Sequence, residues 1–416
     1  MHTRGPTGSF IRRPRLSRPG RRLSSPGQAL VLFALFAFVI VGFMALSVDG
    51  GFILAERRQV QTAADAGALA AAKAVLDNRA GIMVSSGQTY AAANAAPGAA
   101  VQVLRPPATG AYAGNNDYIQ VVVTQDVQQF FVGALYTGAW NVTASATAGV
   151  ETEPANYALI TLERNATPGI YLNGTTGIVI TGDEASAMAN TNIHSNGVTS
   201  FTTTGTIDAN TTIAVGGGAW NPAGRIRENQ PQIDDPLGAV PVPPKGPART
   251  FAADCPGDVC QPGWYRNQDV TLSGTWTFAP GVYYFENTDV ALQNTNARIQ
   301  GTDVLLYFDS NSSFDPKNGE VHLTGDPTPQ YAGGQPGMVF WYDRCNTLDM
   351  QGNAELYFNG IFYAPCALVQ MRGTPGQESV NGQLIVSRLD VRGTADLGIV
   401  YHSWVDTDRP RVYLVE

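Results

Sequence analysis

The segment Ala29–Val48 (ALVLFALFAFVIVGFMALSV) carries no charge, and Ser47 is its one polar side chain. A helix of this length rises through about 30 Å, the thickness of a bilayer's hydrocarbon core, so the pattern predicts a transmembrane helix. From Asp49 to about Asn78 the chain is alanine-rich and free of proline. Good helix formers without a breaker predict that the membrane helix continues as one rod of about 50 residues. Ile53, Val60, Ala64, Gly67, Ala71 and Ala74 fall three, four or seven apart and form a narrow stripe of small residues on one face. Such a stripe suits close packing against another helix or against the chain's own neighbouring module. Lys73 and Asp77 form an i,i+4 pair that adds weak support.

The pattern then becomes mixed. Tyr90–Ala96 is a second alanine-rich run that stops at Pro97-Gly98, and Val101–Leu104 reads as a short strand. Pro106-Pro107 and Gly114-Asn115-Asn116 are loop signals. Tyr118–Thr124 and Trp140–Val150 read as strands from their β-branched content and alternation, and Phe130, Phe131, Val132 and Leu135 look like a turn or two of amphipathic helix. A small α+β module is expected here.

Beyond Tyr157 helical periodicity vanishes. Short apolar runs bounded by Gly, Asn or Asp recur, as in GIYLNGTTGIVITG (169–182), ARIQGTDVLLYF (297–308) and AELYFNGIFYAPCALVQMRG (354–373). Their loose spacing of about 8 to 12 residues fits either a β-solenoid, with coils stacked strand on strand, or a β-sandwich. The repeated apolar–x–apolar pattern closed by Gly or Asn-Gly, without long hairpin strands, favours a right-handed solenoid. Asn221–Thr250, with PVPPKGP and little periodicity, reads as a Pro-rich loop that interrupts it.

Charge orients these pieces. The chain of 416 residues has a formal net charge of −8, but residues 1–28 carry seven arginines and no acid, so they read as a basic cytoplasmic tail. The 19 basic and 34 acidic residues after Ser47 leave a formal −15 on the part expected outside the cell membrane. An acidic, Lys-poor body lacks the clustered cations that nucleic acid needs, which excludes nucleic acid as a partner. No small-x-small cleavage site precedes a polar mature start, so a retained anchor is expected rather than a secretory signal peptide.

All four cysteines fall on the outer side, where an oxidising exterior allows two disulfides, Cys255–Cys260 and Cys345–Cys366. A four-cysteine zinc site is disfavoured because no CxxC pair is present. His2, His194, His322 and His402 are scattered, and no GxSxG elbow, P-loop or strand-associated GxGxxG occurs. Carboxylates remain: Asp289, Asp303, Asp309 and Asp315 recur along one stretch and could line a groove like the acids of polysaccharide-cleaving solenoids. The alternative is that they cap turns and stay solvated.

The stretch GQALVLFALFAFVIVGFMALSVDGGFILAERRQVQTAADAGALAAA (27–72) closely resembles the N-terminal region of TadG-like Flp pilus-assembly proteins. The features that carry the resemblance are Gly27-Gln28, Asp49, Gly51 and the run Gln61–Ala70, and the segment 118–150 is similar to the family's strand, paired aromatics and closing strand. The resemblance implies a membrane-anchored accessory component of tight-adherence pilus machinery. In related small pseudopilins a peptidase removes the leader and wants glutamate at the fifth mature position; here that position is Leu32, so no cleavage is expected. No DxSxS metal motif appears, and the C-terminal part looks like the β-helical extension of some related surface proteins.

The expected layout is a cytoplasmic tail (1–28), a single-pass transmembrane helix (29–48) running into a helical stalk and α+β module (49–150), and an all-β ectodomain (151–416). The expected function is non-catalytic, in Flp/Tad-type pilus assembly or surface adhesion, with no cofactor and no metal. Asp49, Gly51, Asp65, Gly67 and Ala71 are the candidate assembly residues of the helix. Asp49 either pairs with a cation of a neighbouring subunit or simply ends the membrane span. Partners are other pilus-assembly or envelope proteins, the membrane, and a surface polysaccharide. The rival reading is a membrane-tethered β-helix enzyme acting on carbohydrate.

Overall fold

The computed structural model describes residues 26–77, 79–134, 138, 140–165, 168–316, 319–351, 355–373 and 377–415. The expected basic tail, apart from the first residues of the long helix, lies outside them, as does Leu135. Two compact units emerge. One comprises the chain up to Gly67 with Gln88–Gln102 and Val121–Ala146; the other comprises Ala68–Gly87, Val103–Gln120 and Thr147–Glu416.

Helix α1 runs unbroken from Pro26 to Leu76, 51 residues, which makes it a rod of about 76 Å. Proline at its first position costs nothing, since that N–H has no partner inside a helix. Leu30, Phe33, Phe38, Phe43 and Val48 are all exposed, which fits a single-pass membrane anchor. Apolar burial begins at Val60 and continues through Ala63, Ala64, Ala68, Ala71 and Ala72, the three-and-four spacing of one helix face. Lys73 and Asp77 form an ion pair near the helix end. Helix α2 (Met83–Asn94) follows, then strands β1 (Ala100–Leu104), β2 (Tyr118–Val127) and β3 (Trp140–Pro154). β2 buries Ile119, Val121, Val123 and Val127 at the period of two that a one-sided sheet requires. β3 passes straight through residue 150, where the sequence suggests a domain boundary. It does so because Ala148–Pro154 pairs antiparallel with Asp408–Leu414 near the end of the chain.

The C-terminal region is a β-solenoid in which, among the described residues, every rung-to-rung pairing is parallel. Three runs of rungs make three faces. One contains Tyr157–Thr161 under Ser186–Ala189 and Ile207–Ala209. The second contains Ile170–Gly174 beside Ile193–Gly197, and the third Gly177–Thr181 beside Thr199–Thr203. Glycine marks the corner after the second face. Gly393, Gly174 and Gly197 stack in register with φ of +80°, +112° and +108°, and a Cβ on Gly174 or Gly197 would run into the carbonyl of the glycine stacked on it. Glu355–Gly373 and Gln377–Gly393 each bend round all three faces without a break, longer than the short strands the sequence suggests.

Stacking order does not follow sequence order. Along the first face the rungs run Arg249, Tyr265, Phe285, Phe308, Tyr342 in contact order. They continue through Phe362 to Leu384, and Leu384 stacks on Leu159. From there the rungs climb through Ala187 to Ile207 and Ile226. The chain therefore joins the stack in its middle, climbs to one end at Arg227, crosses to the other end at Ala248, and climbs back to finish beside its own start. The crossing is made by residues 228–247. The Pro-rich segment is thus a strap along the first face, narrower than the loop expected over 221–250, because Gly218–Pro222 and Ile226–Arg227 are rungs.

The strap explains why VLLYF (304–308) and MVFWY (338–342) are apolar at every position: their strands are buried on both sides. Inward, Phe285, Phe308, Phe340 and Phe362 stack at 4.7, 5.5 and 4.6 Å. Outward, Tyr284, Tyr307, Trp341 and Tyr363 form a second ladder at 4.6, 5.4 and 5.2 Å. Ile233 and Leu237 of the strap cover that ladder. Asn190 holds the strap by donating to the Ile233 carbonyl and accepting from its N–H, both at 2.8 Å. Tyr363 donates to Asp235 at 2.6 Å, and Lys245 meets Glu286 at 2.6 Å and lies over the Trp264 ring. Cys255 is bonded to Cys260 and Cys345 to Cys366, so no cysteine remains as a zinc ligand.

Leu237→Ala should destabilise the solenoid by about 2–4 kcal/mol, read from the denaturant midpoint, because it empties a buried site under the strap. Alkali should unfold it as well. Burial pushes the Tyr265 hydroxyl up to about 12 and raises Tyr283, Tyr307 and Tyr363, with Asp343 adding to Tyr307 and Asp235 to Tyr363. The unfolded chain gives up these protons near pH 10 while the folded one keeps them, so stability is intact below about pH 10 and falls as pH rises toward 12. Circular dichroism and tyrosinate absorbance should change together across that range.

Candidate functional site

Two places gather chemistry, and the first lies where α1 leaves the apolar run. Asp49 is 3% exposed although it follows a fully exposed stretch. After β2 the chain turns back through Phe130 and Phe131 into a short 3-10 turn, Val132–Ala134. Such a turn begins with backbone N–H groups that have no partner of their own. Asp49 supplies one. Its Oδ1 accepts from Phe130 at 3.2 Å, and its Oδ2 accepts from Phe131 at 3.1 Å and Val132 at 2.6 Å. A carboxylate aimed at such a turn also gains from the partial positive charge there. Phe52, one turn above Asp49, meets Phe130 edge-on at 5.1 Å. The carboxylate therefore works within the chain, as a clamp that fixes an aromatic loop to the helix. Neither role suggested by the sequence, a bond to a neighbouring subunit or a bare polar stop, describes this.

The other helix residues separate into two groups. Asp65 accepts from Gln61 at 2.8 Å, and Gln61 also reaches the Ser145 carbonyl at 3.3 Å, tying α1 to β3 within the same unit. Gly67 and Ala71 are buried, so the small-residue stripe is used up inside the chain. Gly51 differs: a Cβ there would meet nothing within 4 Å, and the same holds at Gly42 and Gly50.

The second place is on the solenoid. Pro244, Pro247, Arg249, Pro262, Pro280, Asp303, Asp326, Tyr331 and Met338 line a groove of about 460 Å³ between the strap and the 326–337 loop. Of the four aspartates singled out by sequence, Asp303 alone among those lining residues enters it, at a turn with φ +57°. Asp309 caps a turn, accepting from Ser312 Oγ at 2.6 Å and from the Asn287 and Asn311 backbone. Asp289 accepts from Ser313 at 2.6 Å, and Asp315 sits one rung-step away, exposed. Asp326, which the sequence did not single out, shares the groove with Asp303 because the 325–337 loop interrupts the coil there. Elsewhere Glu320, His322 and Glu355 place one ligand atom each within 4.8 Å of the others. Arg298 already meets Glu320 at 3.4 Å, and a cation held there would face that guanidinium. The trio fits a salt-bridged rung pair better than a metal centre.

Asp49→Ala should leave three backbone N–H groups of the Phe130–Val132 turn without their acceptor, at a cost of about 2–3 kcal/mol. Hydrogen exchange at residues 130–134 should rise sharply, while amides of the solenoid rungs keep their protection.

A search of curated proteins gives no match. Among solved structures, the chain is similar to the competence-associated pilin ComZ from Thermus thermophilus, at 10% identity over 76% of this chain and 84% of that one; the TM-score of 0.26 is too low to carry an argument. Residues 27–74, nearly the whole of α1, match the family model Tad, described as putative Flp pilus-assembly TadE/G-like.

Proposed function

We propose that the protein is a membrane-anchored, non-catalytic component of a Flp-type pilus-assembly apparatus, with its N-terminus in the cytoplasm and its solenoid outside. The carrying observation is that the Tad match at 27–74 coincides with α1, including its apolar membrane-length run. The arginines before Ala29 support the orientation, since basic residues flanking a span stay on the cytoplasmic side. The anchor places the solenoid at the cell surface, where its polar faces are available to envelope partners or to a surface polysaccharide. Assembly contacts then fall at the unobstructed glycines of α1, Gly42, Gly50 and Gly51, rather than on the buried stripe.

One observation favours a second reading, a membrane-tethered enzyme acting on carbohydrate: Asp303 and Asp326 share a groove with the Tyr331 ring. Glycoside hydrolysis uses a pair of carboxylates that flank the scissile bond.

Gly51→Leu discriminates folding from assembly. Leucine is better than glycine inside a helix by about 1 kcal/mol and has open space here, so the chain should fold normally. Co-purification of other pilus-assembly proteins from native membranes should nonetheless fall. Asp303→Ala should leave co-purification unchanged. Should the protein cleave a polysaccharide and lose that activity in Asp303→Ala, the enzyme reading replaces this one.

A further inference from the structure

The Asp49 clamp holds two large aromatic side chains in the open. Phe130 is 51% exposed and Phe131 50% exposed, although both sit on a turn whose backbone is fully engaged. Exposure of two adjacent phenylalanines in a fixed loop costs free energy in water and calls for an apolar environment. Their position relative to the helix names that environment. Exposed apolar side chains of α1 do not stop at Val48 but resume at Leu54, and the first exposed charges come at Arg57 and Arg58. From Ala29 to Leu54 the helix rises about 39 Å, some 9 Å more than the hydrocarbon core is thick. That surplus belongs to the interfacial layer. Asp49 and Phe52, which hold the loop, lie within it, and Asp49's hydrogen bonds offset the cost of placing a carboxylate there. An open cleft of about 410 Å³ lined by Ile53, Val127, Trp140, Asn141 and Val142 adds an indole at the same end of the unit. Aromatic side chains concentrate at this depth in membrane proteins.

We propose that the Phe130–Phe131 loop is an interfacial anchor: it inserts into the outer headgroup–acyl boundary of the bilayer and, through Asp49, fixes the depth and rotation of α1. The occupant of the exposed apolar patch is lipid, not protein. The inference rests on Ala29–Val48 crossing the membrane. Its consequence is mechanical, since a stalk pinned at its base by a second contact cannot rock freely about a single helix.

All four native cysteines are in disulfides, so introduced cysteines can be labelled singly in the full-length protein. Phe131→Cys, Phe38→Cys and Val179→Cys would each carry a small fluorophore, in vesicles whose lipids bear nitroxides either near the glycerol or near the chain end. Position 38 should be quenched by chain-end nitroxide, and position 179, on the solenoid, by aqueous iodide alone. Position 131 should be quenched most by the glycerol-level nitroxide, consistent with insertion about 5–10 Å into the boundary, and be protected from iodide. Adding Asp49→Ala should abolish quenching at 131 and spare it at 38. Iodide quenching at 131 equal to that at 179, with 38 still in lipid, would overturn the proposal. Protection at 131 from both quenchers would overturn it too, in favour of a protein partner. Loss of lipid quenching at 38 would instead bring down the membrane-anchor reading and this inference with it.

Discussion

Leu384–Val386 stacks on Leu159–Thr161, Leu389–Gly393 on Ile170–Gly174 and Asp396–Val400 on Gly177–Thr181, and these three parallel pairings join the last coils in sequence to the first. A parallel rung that lacks a neighbour exposes a full row of unpaired N–H and C=O groups. Starting the chain in the middle of the stack therefore creates two half-solenoids, each with an open edge, that satisfy one another when they meet. The arrangement sets two further requirements. A connection must travel from one end of the stack to the other, which the strap does, and the chain must come back out beside where it went in. The pairing of Ala148–Pro154 with Asp408–Leu414 is that second requirement met.

The strap turns a topological necessity into stability. Residues 228–247 must pass over the first face, and the outward side chains of that face are aromatic where the strap crosses, from Tyr284 to Tyr363. Prolines suit such a segment, because an extended chain with few N–H donors leaves few groups to satisfy against an apolar surface. The same crossing forms one wall of the groove at Asp303 and Asp326, so this groove is a by-product of chain order. In the unit that contains the first part of α1, the clamp at Asp49 plays a comparable part: one side chain ties a turn distant in sequence to the helix and thereby sets what is exposed there.

Local rules made much of this protein legible. Twenty uncharged residues make a helix long and apolar enough to cross a membrane, and that much is legible from length and composition alone. A proline-free alanine run specifies continued helix, and glycine at a corner specifies a turn that no other residue can make against a stacked carbonyl. The assembly and site residues were less legible. Gly67 and Gly51 are equivalent in a helical pattern, yet one is buried and the other faces open space. Likewise Asp303 and Asp309 look alike in sequence, and only folding puts one in a groove and the other on a turn.

Sequence by itself determined the helix, the switch to stacked strands after Tyr157, and the apolar and glycine positions of each coil, because each depends on the chemistry of a few adjacent residues. Tertiary structure alone decided the order in which coils stack, the path of the strap and the partner of Asp49. Parallel rungs of similar composition pair with similar energy, so sequence neighbours and spatial neighbours are interchangeable until the whole stack closes. The acceptors for the Phe130–Val132 turn lie more than eighty residues upstream, beyond the reach of any local pattern.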